Sequence, residues 1–278
     1  MSPTKSAPNH GLNDGAAQER NKYADLARLV QRFRLFDDSF MTKVFEDLEC
    51  AQLLLHIILQ HPNLSVTSVN SQHFIKNLQG RSCVLDILAV DQEGNHYDIE
   101  IQRWDKGAGP RRARYNSSVL DATMLMPKQD HDELRDTFII FITEQDTFKD
   151  GRPIHHIDRV IRETGIPFDD GSHIIFVNGE CKDDTPLGKL MQDFSYTKAS
   201  DMHYKTLANR VHYFKETEEG LLTMCEIMEE ANAVARFEEK VISVRAVMKN
   251  LSVSVDEAMK ILETPEPDRE PIRNLLEQ

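Results

Sequence analysis

The chain has 278 residues, 40% of them hydrophobic and 28% charged, which is ordinary globular usage and excludes wholesale disorder or a fibrous design. Its formal net charge of −13 works against non-specific attraction to nucleic acid, so any such role needs a local concentration of cations. No stretch approaches the roughly 18 consecutive apolar residues of a membrane span, and the polar start lacks the apolar core of a secretory signal; the expected location is the cytoplasm.

In chain order, residues 1–21 are polar and mixed in charge and are expected to form a disordered lead-in. Helical spacing of apolar residues begins at Leu26, Leu29, Val30 and Phe33. It continues through Val44, Phe45, Leu48, Leu54, Leu55 and Ile58, until His61-Pro62-Asn63 ends it. A short strand is expected near Leu64 to Val69. Residues Cys83 to Val90 and His96 to Arg103 then form the clearest hairpin, joined by Asp91-Gln92-Glu93-Gly94 with the glycine left-handed. A helix from Arg111 to Met126 and buried strands at Thr137 to Thr143 and His173 to Val177 complete an alternating α/β core.

From Thr185 the pattern is helical, with a Glu-rich stretch over Glu216 to Met248 suited to packing on the core or on a second protomer. Ser254-x-x-Glu257 is a capping-box pattern, and a last helix is expected at Ile272 to Leu276. The domain boundaries read from these patterns are 22–200 for the α/β domain and 201–278 for a helical C-terminal region. The acidity of the tail argues for protein contact rather than a recognition helix in DNA.

Four cysteines lie far apart and lack a C-x-x-C pair, so neither zinc knuckle nor disulfide framework is indicated. The 11 histidines show no metal-ligand spacing and are assigned no role.

The chemistry concentrates in the hairpin. Alternation sends Asp86 to one face of an otherwise apolar strand, and Asp98, Glu100 and Gln102 to one face of the next. A three-residue turn with left-handed Gly94 pairs Asn95 with Asp91, and counting inward sets Asp86 opposite Glu100 and Val84 opposite Gln102. Opposed carboxylates repel, and burial makes each harder to ionise, so a proton or cation is required between them. A hard divalent ion such as Mg²⁺, with Mn²⁺ as substitute, meets that need through Asp86 and Glu100 plus water and a substrate phosphate. Phosphodiester hydrolysis follows from such a site. Gln102 carries no charge and is limited to orienting water or phosphate. Cations follow in Arg103, Lys106, Arg111, Arg112 and Arg114; of these Lys106, Arg111 and Arg114 are the candidate contacts to a DNA backbone. Glu46, Asp47 and Glu49 offer a further carboxylate from the preceding helix, although a solvated helix face is the commoner account of such a cluster.

Asp86, thirteen intervening residues and Glu100-x-Gln102 on a hairpin followed by a basic helix resemble the PD-(D/E)XK nuclease superfamily. The likeness is narrower to the recombination-promoting nuclease/putative transposase family, through Asp38-Ser39-Phe40 with Lys43 and Phe45, Leu85 to Leu88, Tyr97 to Gln102 and Arg111 to Tyr115. The resemblance implies a restriction-endonuclease-like core, a central mixed sheet flanked by helices, with a helical C-terminal extension. It also implies Mg²⁺-dependent DNA cleavage, in recombination or on mobile elements. Two departures stand out: Gln102 replaces the usual lysine, and Leu85 the nominal proline. Double-strand cutting by one site per chain would favour a homodimer. The competing expectation is a nuclease-like fold that no longer cuts and binds nucleic acid or protein.

Overall fold

Strands form where β-branched and aromatic residues run together, and the computed structural model, which describes residues 23–76, 81–103 and 107–277, joins them into one mixed sheet. The expected lead-in over 1–21 and the candidate contact Lys106 lie outside the described residues. In chain order the strands are β1 (Val66–Ile75), β2 (Cys83–Asp91), β3 (His96–Gln102), β4 (Thr137–Thr143), β5 (Ile154–Ile157) and β6 (Ser172–Asn178). Their spatial order is β1-β2-β3-β4-β6-β5. The β1/β2 and β2/β3 pairs are antiparallel, β3/β4 and β4/β6 parallel, and β5 returns antiparallel along β6.

Preceding the sheet are α1 (23–30), α2 (Asp38–Phe45) and α3 (Leu48–Leu59). The apolar periodicity from Phe40 to Leu59 read as one run; the chain breaks it at Asp47, whose carboxylate leaves the helix to accept from the Cys50 amide at 3.0 Å and caps α3. Strand β1 is longer than expected and continues to Ile75. The hairpin turn is as counted: Gly94 has φ of +86°, and Asp91 N–H donates to the Asn95 carbonyl.

A parallel β3/β4 pair needs a crossover, and α4 (Pro110–Met124) supplies it with Pro110 at its start. Ala113, Asn116, Ser117 and Leu120 form its inner face and pack over Leu88, Ile139, Phe141 and Phe176. Helices α2 and α3 lie against β1, and behind them stand α5 (Pro186–Ser195) and α6 (Lys205–Glu216). The amine of Lys215, at the end of α6, is buried and donates to the carbonyls of Phe33 and Thr197, each at 2.5 Å, and of Gln31 at 3.3 Å. Burial pushes this amine down to about 8.

These contacts fix α6 within the α/β unit. The compact units accordingly divide at Leu221/Leu222, within α7 (Glu218–Leu251), later than the 200/201 boundary the sequence suggested. The second unit, 222–278, contains most of α7 with α8 (Val255–Ile261) and α9 (Glu266–Leu276), and has its own core of Val241, Val244, Val255, Met259 and Ile272. The capping box forms as read, Ser254 and Glu257 satisfying each other's amides. Strand β5 was not anticipated, because four residues with two central histidines carry too little periodic signal. Among the described residues no helix is long and apolar enough to cross a membrane.

Candidate active site

The paired register runs from Val90↔His96 to Ile87↔Ile99, and the same register carried one step further sets Asp86 across from Glu100. The carboxylate of Asp86 accepts from the Ile101 amide at 3.3 Å. Asp98 and Glu100 are both wholly buried, under α4. Asn116 of α4 donates to both, at 3.0 Å to Asp98 Oδ2 and 3.2 Å to Glu100 Oε1. The second Asp98 oxygen, Oδ1, is buried without a hydrogen-bond partner. A carboxylate oxygen left bare in a protein interior is costly if charged.

Arg112 supplies the cation. Its guanidinium is ion-paired to Glu100 Oε2 and lies 5.7 Å from the centroid of the Phe141 ring. Gln102 donates to the same Glu100 oxygen at 3.4 Å. Gly107 closes the loop against this pair: its φ is +124°, and a Cβ there would sit 3.0 Å from Gln102 Oε1 and 3.1 Å from the Arg112 guanidinium.

Three carboxyls therefore share one guanidinium, and each is pushed above the usual carboxylate range. For Asp86, raised to about 6, burial is the main cause, reinforced by Asp38 and opposed by Arg112 and the Ile101 amide. Asp98 is raised to about 7 by burial, with the Asn116 bond acting against it and Asp86 adding to it. Glu100 is raised furthest, by burial and then by the charges of Asp98 and Asp86, despite its contact with Arg112. Nearby, burial and the same acids push the Cys83 thiol up to about 11. The site sets three carboxyls against one guanidinium, and burial with their mutual repulsion keeps them from all ionising together.

A cleft of about 490 Å³ opens over Asp86, Gln102 and Arg103, with Asp38 and Phe40 on its other wall. Arg103 is engaged there with Asp37 at 3.2 Å. The acid that α2 contributes is Asp38, at its first residue. Glu46 instead pairs with Lys43 at 2.8 Å and accepts from Ser71 at 2.7 Å, Asp47 is the cap, and Glu49 is exposed.

The structure thus brings together Asp86, Glu100 and Gln102. Arg111 and Arg114 lie on the exposed side of α4, while Arg112 reaches the acids. Sequence reasoning gave Arg112, Asn116, Asp98 and Asp38 no role in the site. The i, i+4 spacing of Arg112 and Asn116 on a helix following the hairpin was the available signal for two of them.

The donor set available to a metal is hard carboxylate oxygen, Asp86 with Glu100. It suits Mg²⁺, which takes one or two carboxylates and fills its shell with water and phosphate. Three clustered carboxyls that burial holds back from ionising, and the bare Asp98 oxygen, fit a cation. Among the described residues no group of three or more His, Cys, Asp or Glu side chains is arranged to hold a metal.

The family model described as PD-(D/E)XK nuclease family transposase matches residues 43–184, which include the hairpin, α4 and β4 to β6. No curated protein and no solved structure matches the chain.

Proposed function

This chain belongs to the PD-(D/E)XK nuclease family transposases, and we propose on that premise that it is a Mg²⁺-dependent DNA endonuclease with its site at Asp86, Glu100 and Gln102. The observation that carries the proposal is the placement of Asp86 and Glu100 one step beyond the last β2/β3 pair, Ile87↔Ile99, with Asp86 in the wall of a cleft and three carboxyls set against one guanidinium. Asp86 and Glu100 would hold the ion. When bound, Mg²⁺ supplies Lewis-acid polarisation of a phosphoryl oxygen and a lower pKa for the attacking water.

The chain's own groups have separable tasks. Gln102 presents an amide to orient water or a phosphate oxygen, without adding charge. Asn116 fixes the Glu100 carboxylate through its Oε1, and α4 keeps bulk water from Asp98. Arg112 holds Glu100 Oε2, so cation binding requires that contact to loosen. Arg111 and Arg114 are the groups proposed to grip the DNA backbone, being exposed on the helix that carries Arg112.

The Arg112–Glu100 pair also favours a second reading. A guanidinium in the place of a metal, beside Gln102 where a lysine is usual, describes a nuclease-like fold retained for binding. Nicking of supercoiled plasmid by the full chain with Mg²⁺, Mn²⁺ or EDTA, set against Asp86→Ala shown folded by circular dichroism, separates the two. Metal-dependent nicking lost in the variant is the expected result. No nicking by folded wild type with either metal overturns the endonuclease and leaves the binding module.

A further inference from the structure

The face of the sheet opposite the acids carries a second cavity, of about 380 Å³, at the other end of β3. Alternation requires the separation: Tyr97 and Asp98 are neighbours in sequence and point to opposite faces. Tyr97, Phe138 and His173 occupy one register line across β3, β4 and β6, so their rings stack in a column. Centroids are 4.9 Å apart from Tyr97 to Phe138 and 4.6 Å from Phe138 to His173, with planes inclined by 16° and 21°.

The column is held in place. The Tyr97 hydroxyl donates to Asp91 at 2.7 Å, and Asp91 is itself fixed by the amides of Glu93 and Asn95 at 2.8 and 2.9 Å. His173 Nδ1 lies 2.8 Å from Asp158 Oδ1. A preformed aromatic wall of this kind costs a ligand little ordering. Around it stand amide and imidazole groups of Asn63, Gln92, His61 and His156, together with the carboxylates of Glu93 and Asp158. Among the described residues no lysine or arginine lines the cavity.

We propose that this cavity is a binding site for a planar nitrogen heteroaromatic ring bearing N–H donors and no phosphate, of the nucleoside class. Phe138 and His173 offer ring edges to a flat aromatic ligand, since Tyr97 is buried and both faces of Phe138 are covered by its neighbours in the column. Carboxylates at the rim accept from exocyclic amines and repel anions, and with no lysine or arginine among the described lining residues a phosphate lacks a permanent countercharge. The site is independent of the nuclease reading, since it shares no residue with the acid cleft.

Calorimetric titration of the full chain with adenosine and with its 5′-monophosphate tests the proposal. Saturable adenosine binding at sub-millimolar concentration is expected, with the monophosphate at least tenfold weaker. Phe138→Leu keeps apolar volume but breaks the column, and weakens adenosine roughly tenfold. Asp158→Asn changes no volume and narrows the preference over the monophosphate, so it decides the matter if Phe138→Leu fails to fold. Absence of adenosine binding by folded wild type overturns the proposal. So does equal affinity for the monophosphate, or a folded Phe138→Leu that binds unchanged.

Discussion

Asp98→Asn should change how the stability of this protein depends on pH. The carboxyl is wholly buried, with one oxygen bonded to Asn116 at 3.0 Å and the other without a partner, and burial raises it to about 7. In the unfolded chain it titrates at the ordinary aspartate value, near 4. Between those values the folded state keeps a proton that the unfolded state has released, so stability falls as pH rises. A span of about three pH units corresponds to on the order of 4 kcal/mol as an upper value. Asp86 and Glu100 compete for the same protons, so the share lost with Asp98 is expected to be about 1 to 4 kcal/mol. Asparagine keeps the acceptor for Asn116 and removes the titration, at a pH-independent cost of about 1 to 3 kcal/mol for its own buried amide. The slope therefore reports the effect, and the absolute stability does not. Urea unfolding at pH 5, 6, 7 and 8, followed by far-ultraviolet circular dichroism, reads it. Wild type should lose stability across this range more steeply than the variant. Parallel curves would refute the view that Asp98 is a buried acid with a raised proton affinity.

Arg112→Leu removes the cation that opposes the rise of the Asp86 carboxyl and should destabilise by about 1 to 3 kcal/mol at pH 8, where Asp86 is ionised, and by less at pH 5, where Asp86 takes up a proton instead; thermal melts at both pH values check the difference. Gly107→Ala places a methyl 3.0 Å from Gln102 Oε1 in a backbone region that L residues rarely adopt, and is expected to cost about 1 to 3 kcal/mol and to lower any nicking rate. Arg111→Ala with Arg114→Ala should weaken DNA binding uniformly across sequences and flatten the salt dependence by about one unit of logarithmic slope per lost phosphate contact; an unchanged slope in a filter-binding titration would remove both from the interface. Mg²⁺ at 100 times its dissociation constant should raise the stability of wild type at pH 8 by about 3 kcal/mol and leave Asp86→Ala unmoved.

The hairpin and its register were legible in the sequence because both depend on local rules. A left-handed glycine fixes the turn, the turn fixes the pairing, and period-two alternation then fixes the face on which Asp86, Asp98 and Glu100 stand. The capping box at Ser254 and the crossover helix after Pro110 were readable for the same reason. What the sequence left open depended on contacts between distant segments. Arg111, Arg112 and Arg114 are equivalent as text, and only the packing of Ala113, Asn116 and Leu120 onto the sheet turns Arg112 inward. Asp38 reaches the cleft because α2 packs on the edge of the sheet, and α6 joins the α/β unit because the Lys215 amine finds three carbonyls from two distant loops. The column of Tyr97, Phe138 and His173 joins three strands whose relative register follows from parallel pairing through separate crossovers. Local chemistry chose the elements and the face of each side chain; which side chains meet was decided by tertiary packing, since burial energy is shared among residues that have no short-range relation in the chain.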